Sequence, residues 1–141
     1  MYLLDTNAMS ELRKLSVNST KTNKGFRQWA ENTDGSQFLT SQIVILELRK
    51  GILLKARKDK QQSSVLEQWL NKILVVMHDK ILTVTDEICW RCAELHIPNP
   101  RSEFDSLIGA TALVHNLILV TNNTKDFEGI DNLRIINPFD R

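Results

Sequence analysis

Three acidic residues, well separated along the chain, stand in surroundings where a carboxylate could bind a metal ion. Asp5 follows the apolar residues at positions 2–4, Glu47 lies within the apolar segment IVILELRKGILL, and Asp105 lies in FDSLIGATAL. Carboxylates that come together repel one another unless a cation neutralises their charge. Magnesium and manganese suit such a site because they prefer hard oxygen ligands. These residues therefore raise the hypothesis of a divalent-metal site at Asp5, Glu47 and Asp105.

Each carboxylate also has a purely structural explanation. Asp5 is placed to cap a helix, where it would accept backbone N–H groups and meet the positive end of the helix dipole. Ser102 and Asp105 have the spacing of a capping box, with Asp in place of the usual Glu or Gln. Glu47 is harder to explain in this way, because a charge among apolar neighbours needs a partner. That partner is either a lysine or arginine from elsewhere in the fold or a divalent cation.

Strands and helices alternate along the chain. Short β-rich runs predict strands at 2–4, 37–39, 81–84, 117–120 and 134–136, and helical patterns occupy 41–57, 64–76, 86–96 and 103–116. The polar stretch 16–24 is predicted to be an exposed loop. Alternation of this kind is typical of an α/β fold, in which crossover helices cover a mostly parallel sheet.

The carboxyl edge of such a sheet is where ligands bind. Asp5 follows the first predicted strand, and Thr121, Asn122 and Asn123 follow the fourth, so these polar residues should share that edge. The small residues after Asp105 are predicted to let its helix pack tightly against the sheet and bring the carboxylate to the same place.

Composition limits the classes of protein that remain. Of 141 residues, 42% are hydrophobic and 25% charged, which is typical of a soluble globular domain, so a single domain over residues 1–141 is expected. The apolar runs are too short to span a bilayer, and no leader pattern opens the sequence. With only two cysteines, a reducing cytoplasm is expected. The three histidines lie far apart in sequence and are interpreted as surface or packing residues.

The two cysteines form the sequence CWRC at 89–92, which is the spacing of a thiol–disulfide oxidoreductase. Thr85 is the better helix cap, however, and this places Cys89 a full turn inside the helix, away from the end that would lower a thiol pKa. Cys92 falls on the apolar face, so packing is the preferred interpretation.

Four segments together resemble a known family. LLDTN, ILELRKG, FDSLIGATAL and LVTNNTKDF resemble, in order and spacing, the PIN-domain ribonucleases, particularly the VapC and FitB toxins of type II toxin–antitoxin systems. The terminal IINPFDR is similar to the Asn-Pro-aromatic ending of FitB-like members. The resemblance covers nearly the whole chain. It implies a PIN-like three-layer α/β/α sandwich around a central, mostly parallel five-stranded sheet.

The resemblance also implies a site. Asp5, Glu47 and Asp105 fall on the family's acidic positions as metal ligands and catalytic residues, for magnesium or manganese. At the fourth acidic position this chain has Asn123, so its role is expected to stay with Asn123 or pass to the catalytic candidate Asp126. The residues implied to orient carboxylates or water are Thr6, Asn7, Thr121, Asn122 and Asn123.

The implied activity is hydrolysis of RNA phosphodiester bonds by a toxin that a cognate antitoxin inhibits, and a homodimer is expected. A basic run on the helix that carries Glu47 supplies candidates for RNA binding, namely Arg49, Lys50, Arg57 and Lys58. That run could equally be a solvated helix end, because cations favour a helix C-terminus. The alternative function is a catalytically weak PIN-like domain that binds RNA or protein.

Overall fold

A central five-stranded sheet organises the molecule. The computed structural model describes residues 1–140, and within them all strands are parallel, in the order β3-β2-β1-β4-β5. The strands are β1 (Tyr2–Leu4), β2 (Phe38–Ser41), β3 (Ile81–Leu82), β4 (Ile118–Val120) and β5 (Ile135–Ile136). The central strands β1 and β4 are almost completely buried, as expected for parallel strands covered on both faces.

Six α-helices connect the strands. They are α1 (Thr6–Ser16), α2 (Lys24–Glu31), α3 (Gln42–Ala56), α4 (Lys60–Val76), α5 (Asp86–Leu95) and α6 (Glu103–Val114), with short 3₁₀ turns at Gly35–Gln37 and Thr124–Phe127. Crossovers between parallel strands are right-handed as a rule, and with this strand order the rule assigns α1 to α4 to one face of the sheet and α5 and α6 to the other. The predicted three-layer α/β/α sandwich is therefore confirmed. Within residues 1–140, no helix is both long and apolar enough to cross a bilayer.

The predicted elements are present, with two differences. Helix α2 falls within a stretch that was not predicted to be helical, and Phe26 in it is fully buried. Helix α4 begins at Lys60, four residues before its predicted start, because the Asp59 carboxylate accepts the N–H of Gln62 at 3.0 Å and caps the helix there. The loop expected at 16–24 is shortened at both ends, since Ser16 is the last residue of α1 and Lys24 is the first residue of α2.

The strand order places a topological switch between β1 and β4. The chain moves from β1 to β2 in one direction, and after β3 it crosses back to β4 on the other side of β1. Leu4 pairs with Val120 in the register of these strands, so Asp5 and Thr121 come next to one another where the strands end. A crevice forms at such a point because the two connections leave in opposite directions.

The C-terminal segment packs against α2 at Gly25. A Cβ atom at this position would lie 2.5 Å from the carbonyl oxygen of Pro138 and 2.5 Å from Oδ1 of Asp140. Asn23 holds the same segment by donating from its amide to the Asp140 carbonyl and accepting the Asp140 N–H. Only glycine therefore fits here without moving the chain end.

We expect Gly25→Ala to destabilise the protein by about 1–3 kcal/mol, because the added methyl group displaces the segment around Pro138. The matched control is Gly51→Ala, also inside a helix, where a Cβ would meet nothing within 4 Å. That change should stabilise the fold by roughly 0.5–1 kcal/mol through helix propensity. Urea unfolding of both variants measures the difference, and equal effects would contradict the packing argument.

Candidate active site

Asp5 is both a helix cap and a buried carboxylate at the sheet edge. It follows β1 directly, its Oδ1 accepts the N–H of Ala8 at 3.0 Å, and the residue is only 5% exposed. The structural explanation of Asp5 as the N-cap of α1 is thus confirmed. It does not exclude chemistry, because the same side chain also lines a cleft with other acids.

Glu47 reaches this edge from the second turn of α3, which begins right after β2 with Ser41 as its cap. Its Oε1 accepts a hydrogen bond from the Thr6 hydroxyl at 2.7 Å. Among residues 1–140, no lysine, arginine or histidine forms an ion pair with this carboxylate. From the sequence, the Glu47 carboxylate was expected to need a positively charged partner. In the structure its partner is the neutral hydroxyl of Thr6.

Asp105 lies in the first turn of α6. This helix leads into β4 and runs antiparallel to it, so its N-terminus lies at the carboxyl edge of the sheet. Ser102 is the N-cap residue but makes no side-chain capping hydrogen bond, so the capping-box interpretation is wrong. Ile108 and Ala112 belong to the main core, whereas Gly109 faces the side chains of Ile130, Leu95 and Phe127 rather than sheet backbone.

The three carboxylates line one cleft of about 320 Å³. Asp126 enters the same cleft from the 3₁₀ turn Thr124–Phe127, and Asn123 lines it as well. The remaining residues that line the cleft are Thr6, Asn7, Ser102, Phe104, Ile108 and Phe127. The structure therefore brings together all four acidic residues singled out from the sequence.

Burial and mutual repulsion shift the pKa values in this cleft. Burial raises the pKa of Asp5 from 3.8 to about 6, and the charges of Glu47 and Asp105 add to the rise. Hydrogen bonds from Thr121 and from the N–H of Ala8 oppose it only in part. Burial also raises the pKa of Asp105, with further contributions from Asp126 and Glu47. The cleft is thus a partly desolvated cluster of like charges.

These residues fit a divalent cation. A cation would relieve the repulsion that raises the pKa of Asp5 and Asp105. In the described part of the chain, the oxygens of Asp5, Glu47 and Asp105 do not all come within 4.8 Å of one another. An ion such as magnesium keeps several of its waters, so it does not need all three carboxylates as direct ligands, and a carboxylate that does not reach the ion can bind one of those waters.

Two of the other sequence-predicted residues lie outside the cleft lining. Thr121 is fully buried beneath it, where its hydroxyl bonds Asp5 and also accepts the N–H of Asn123 at 2.9 Å. Asn122 is exposed and does not line the cleft.

The basic residues chosen from the sequence lie on a different surface. Arg49, Lys50 and Arg57, here called the α3-face cations, line a shallow apolar patch with Leu46, Leu53 and Leu54. Arg49 is paired with Glu67 at 2.6 Å, and Lys58 lies beyond the end of α3. Neither the α3-face cations nor Lys58 line the acidic cleft.

A second ligand-like group was missed because it forms only in three dimensions. Atoms of Cys92, His96 and Glu103 lie within 4.8 Å of one another. Nδ1 of His96 accepts the backbone N–H of Arg101 at 3.2 Å, so in the neutral ring the proton is on Nε2, which lies 3.3 Å from the Glu103 carboxylate. A metal would need the lone pair of that nitrogen, so this arrangement favours packing over metal binding.

The CWRC segment lies within α5 as predicted. Thr85 caps this helix by accepting the N–H of Ile88, and Cys92 is buried. Burial raises the pKa of the Cys92 thiol, which is opposite to the shift that activates a redox cysteine. The structure supports the packing interpretation.

The raised pKa of Asp5 predicts a pH dependence of stability in chelator-treated protein. The folded state holds this proton more tightly than the unfolded chain does, so the stability contributed by Asp5 is present below pH 4 and is lost as pH rises through about 6. We expect wild type to lose about 3 kcal/mol relative to Asp5→Asn over this range. Asparagine remains a good N-cap, so the change tests the charge alone.

The control for this measurement is Asp34→Asn. Asp34 is also a cap, but its hydrogen bonds to Ser36 lower its pKa, so the stability it contributes is present above pH 4 and is lost only at lower pH. Urea unfolding at pH 4 and pH 7 separates the two cases, because over this range Asp34→Asn should change in parallel with wild type and Asp5→Asn should not. A difference between wild type and Asp5→Asn that is the same at both pH values would contradict the assignment.

Known proteins share this sequence pattern and fold. The PIN domain family model matches residues 2–133. The chain is 27% identical over 134 residues to the tRNA(fMet)-specific endonuclease VapC of Shigella flexneri, covering 94% of each. It is similar to FitAcB of Neisseria gonorrhoeae, with TM-score 0.83, 26% identity and 98% of each chain covered. A toxin–antitoxin complex from Klebsiella pneumoniae gives TM-score 0.68, 25% identity and complete coverage of both. The chain belongs to the PIN domain family, as its four sequence segments indicated.

Proposed function

We propose that this protein is a metal-dependent endoribonuclease that hydrolyses RNA phosphodiester bonds, and that it is the toxin of a type II toxin–antitoxin module. The observation that carries the proposal is the cleft where Asp5, Glu47 and Asp105 meet without a cationic partner among the described residues. The endonuclease named among its relatives supports the activity.

The ion proposed for this site is magnesium or manganese, held by Asp5, Glu47 and Asp105. When bound, it supplies an activated water and neutralises charge that develops on the phosphate. The protein prepares the carboxylates for it. Ala8 and Thr121 hold Asp5 by hydrogen bonds, and Thr6 fixes the orientation of Glu47. Preoriented ligands reduce the entropy lost on binding, and partial burial strengthens their attraction for a cation.

A cognate antitoxin is the proposed inhibitor, and a homodimer the proposed assembly. Solved structures similar to this chain include toxin–antitoxin complexes. Helices α3 and α4 expose several large apolar side chains, which would supply area for such interfaces; they are Leu46, Leu53, Leu54, Val65, Val75 and Val76.

The second candidate is a PIN-like domain that binds RNA or protein without cleaving it. The observation that favours it is Asn123, a neutral residue in the cleft at the position where the family resemblance implies an acid. An amide can ligate a metal but contributes no negative charge. Cleavage measurements with purified protein separate the two candidates.

We expect Asp5→Asn and Asp105→Asn each to reduce manganese-dependent RNA cleavage by about a hundredfold or more, since losing an orienting residue alone commonly costs about ten- to hundredfold. The control is Asp79→Asn, an exposed acid in the turn before β3. Initial rates on total RNA, with manganese, magnesium or chelator, provide the measurement. Unchanged cleavage by the Asp5→Asn protein would mean that the activity belongs to a contaminant.

Two separate substitutions, one at Asp126 and one at Asn123, test which residue fills the fourth acidic position. Asp126 acts on Asp105 through its charge, so Asp126→Asn should raise the manganese concentration needed for half-maximal activity. Asn123→Asp adds a negative charge to the same cleft and should lower that concentration. Identical metal dependence in wild type and Asp126→Asn would remove Asp126 from the site.

A further inference from the structure

A larger groove adjoins the acidic cleft. It has a volume of about 680 Å³, lies between α1, α3 and α4, and shares Thr6 and Glu47 with the cleft as lining residues. Since Thr6 and Glu47 are hydrogen-bonded to one another, they form the boundary across which the two depressions join. A polymer bound at the carboxylates can therefore continue into this groove.

Three basic side chains line the groove and are called the groove cations here. They are Arg13 from α1, Lys21 from the loop that follows it and Lys55 from the end of α3. Within residues 1–140, none of the three forms an ion pair. The acid beside them, Asp59, already accepts the N–H of Gln62 as the cap of α4. The groove thus carries cations that the protein itself leaves unpaired.

The floor of the groove is apolar and aromatic. Leu48, Ile52, Leu66 and Trp69 line it, with Trp69 only partly buried against the core. Gly51 lies between Glu47 and Lys55 on the same stripe of α3, at a spacing of four residues on each side. A Cβ at Gly51 would meet nothing within 4 Å, so no packing contact requires glycine there, and its small size keeps the groove open.

We propose that this groove binds the single-stranded RNA segment that flanks the cleaved phosphate. The groove cations contact its phosphates, and a base stacks on Trp69. This inference rests on the proposed nuclease function and names the path of its substrate. Cations beside a partly accessible aromatic side chain are a combination used to bind single strands, whereas a duplex keeps its bases inside the stack and cannot place one on Trp69.

The proposal differs from the prediction made from the basic run alone. The α3-face cations border apolar leucines, and Arg49 is engaged with Glu67. The groove cations are unpaired and border the carboxylate cleft through Glu47. Two triple variants, each with three charges removed by substitution with glutamine, therefore compare the two surfaces at equal net charge.

Binding of a fluorescein-labelled single-stranded RNA 12-mer is measured in chelator, so that no metal-dependent cleavage occurs. Each phosphate contact to a single strand contributes about 0.7 to the slope of log affinity against log salt concentration. Removing the groove cations (Arg13→Gln, Lys21→Gln, Lys55→Gln) should reduce that slope by about 2. Removing the α3-face cations should reduce it by less than half as much. Equal reductions, or a larger one from the α3 face, overturn the proposal.

A second variant tests the groove without removing any contact. Gly51→Glu places a carboxylate in open space beside Lys55, so it should not lower the melting temperature, and it should weaken RNA binding by about tenfold or more through repulsion of phosphate. The matched neutral variant is Gly51→Gln. An equal loss with both variants would show that RNA occupies the groove and is blocked sterically, which supports the path, whereas normal binding with Gly51→Glu would contradict an RNA path here.

The outcomes separate this inference from the proposed function. If wild type cleaves RNA but removal of the groove cations leaves RNA binding intact and abolishes binding of a purified antitoxin, the groove is a peptide site and the inference fails alone. If the groove variants lose RNA binding as expected while wild type cleaves nothing with manganese, the nuclease proposal fails and the groove remains an RNA-binding surface.

Discussion

The central constraint on this structure is electrostatic: several carboxylates are kept partly buried at one edge of a parallel sheet, where burial and mutual repulsion disfavour their charged forms. Asp5 is almost inaccessible, and its pKa is raised to about 6 by that burial and by the charges of Glu47 and Asp105. A fold selected only for stability would replace such residues or pair them with lysine or arginine. This one holds them with a backbone N–H and neutral hydroxyls, so the cations of the described residues leave their negative charge unneutralised.

The α/β architecture lowers this cost through its helix ends. In a sheet of parallel strands, helices that follow or precede a strand on the return path present their N-termini at the carboxyl edge. Asp5 caps α1, Glu47 lies in the second turn of α3, and Asp105 lies in the first turn of α6. The N-termini of α1 and α6, each with a partial positive charge, thus face the acidic cleft. They moderate the repulsion without neutralising it, since the pKa values of Asp5 and Asp105 stay raised.

Helix α3 connects the functional surfaces because different stripes of it face different environments. Glu47, Gly51 and Lys55 recur every four residues and run from the acidic cleft into the groove beside it. Leu46, Leu53 and Leu54 emerge on another side, among the α3-face cations. Its core residues, such as Val44 and Leu48, occupy a third. A helix used on three sides carries apolar residues on more than one of them, which explains why its sequence shows little amphipathic pattern.

The sequence alone determined the class of fold, most element positions and the acidic residues of the cleft. Those features depend on local patterns: apolar runs that end in polar residues, helical spacing, and four segments in a fixed order. Helix α2 was not predicted from the sequence because its apolar face is short and the residues around it are polar. The early start of α4 was set by the single capping residue Asp59, which the apolar pattern does not report.

The tertiary structure decided which side chains meet. The sequence predicted that Glu47 needs a partner, but only the fold supplied the Thr6 hydroxyl from 41 residues away. It likewise placed Arg13, Lys21 and Lys55 around one groove, although only Lys55 belongs to the densest basic run in the sequence and Arg49, Lys50 and Arg57 of that run line another surface. Because Glu47, Gly51 and Lys55 recur every four residues, the sequence could have shown that Lys55 lies on the same side of α3 as Glu47. Arg13 and Lys21 could not have been found in this way, because distance in space between separate elements is set by packing and not by position along the chain.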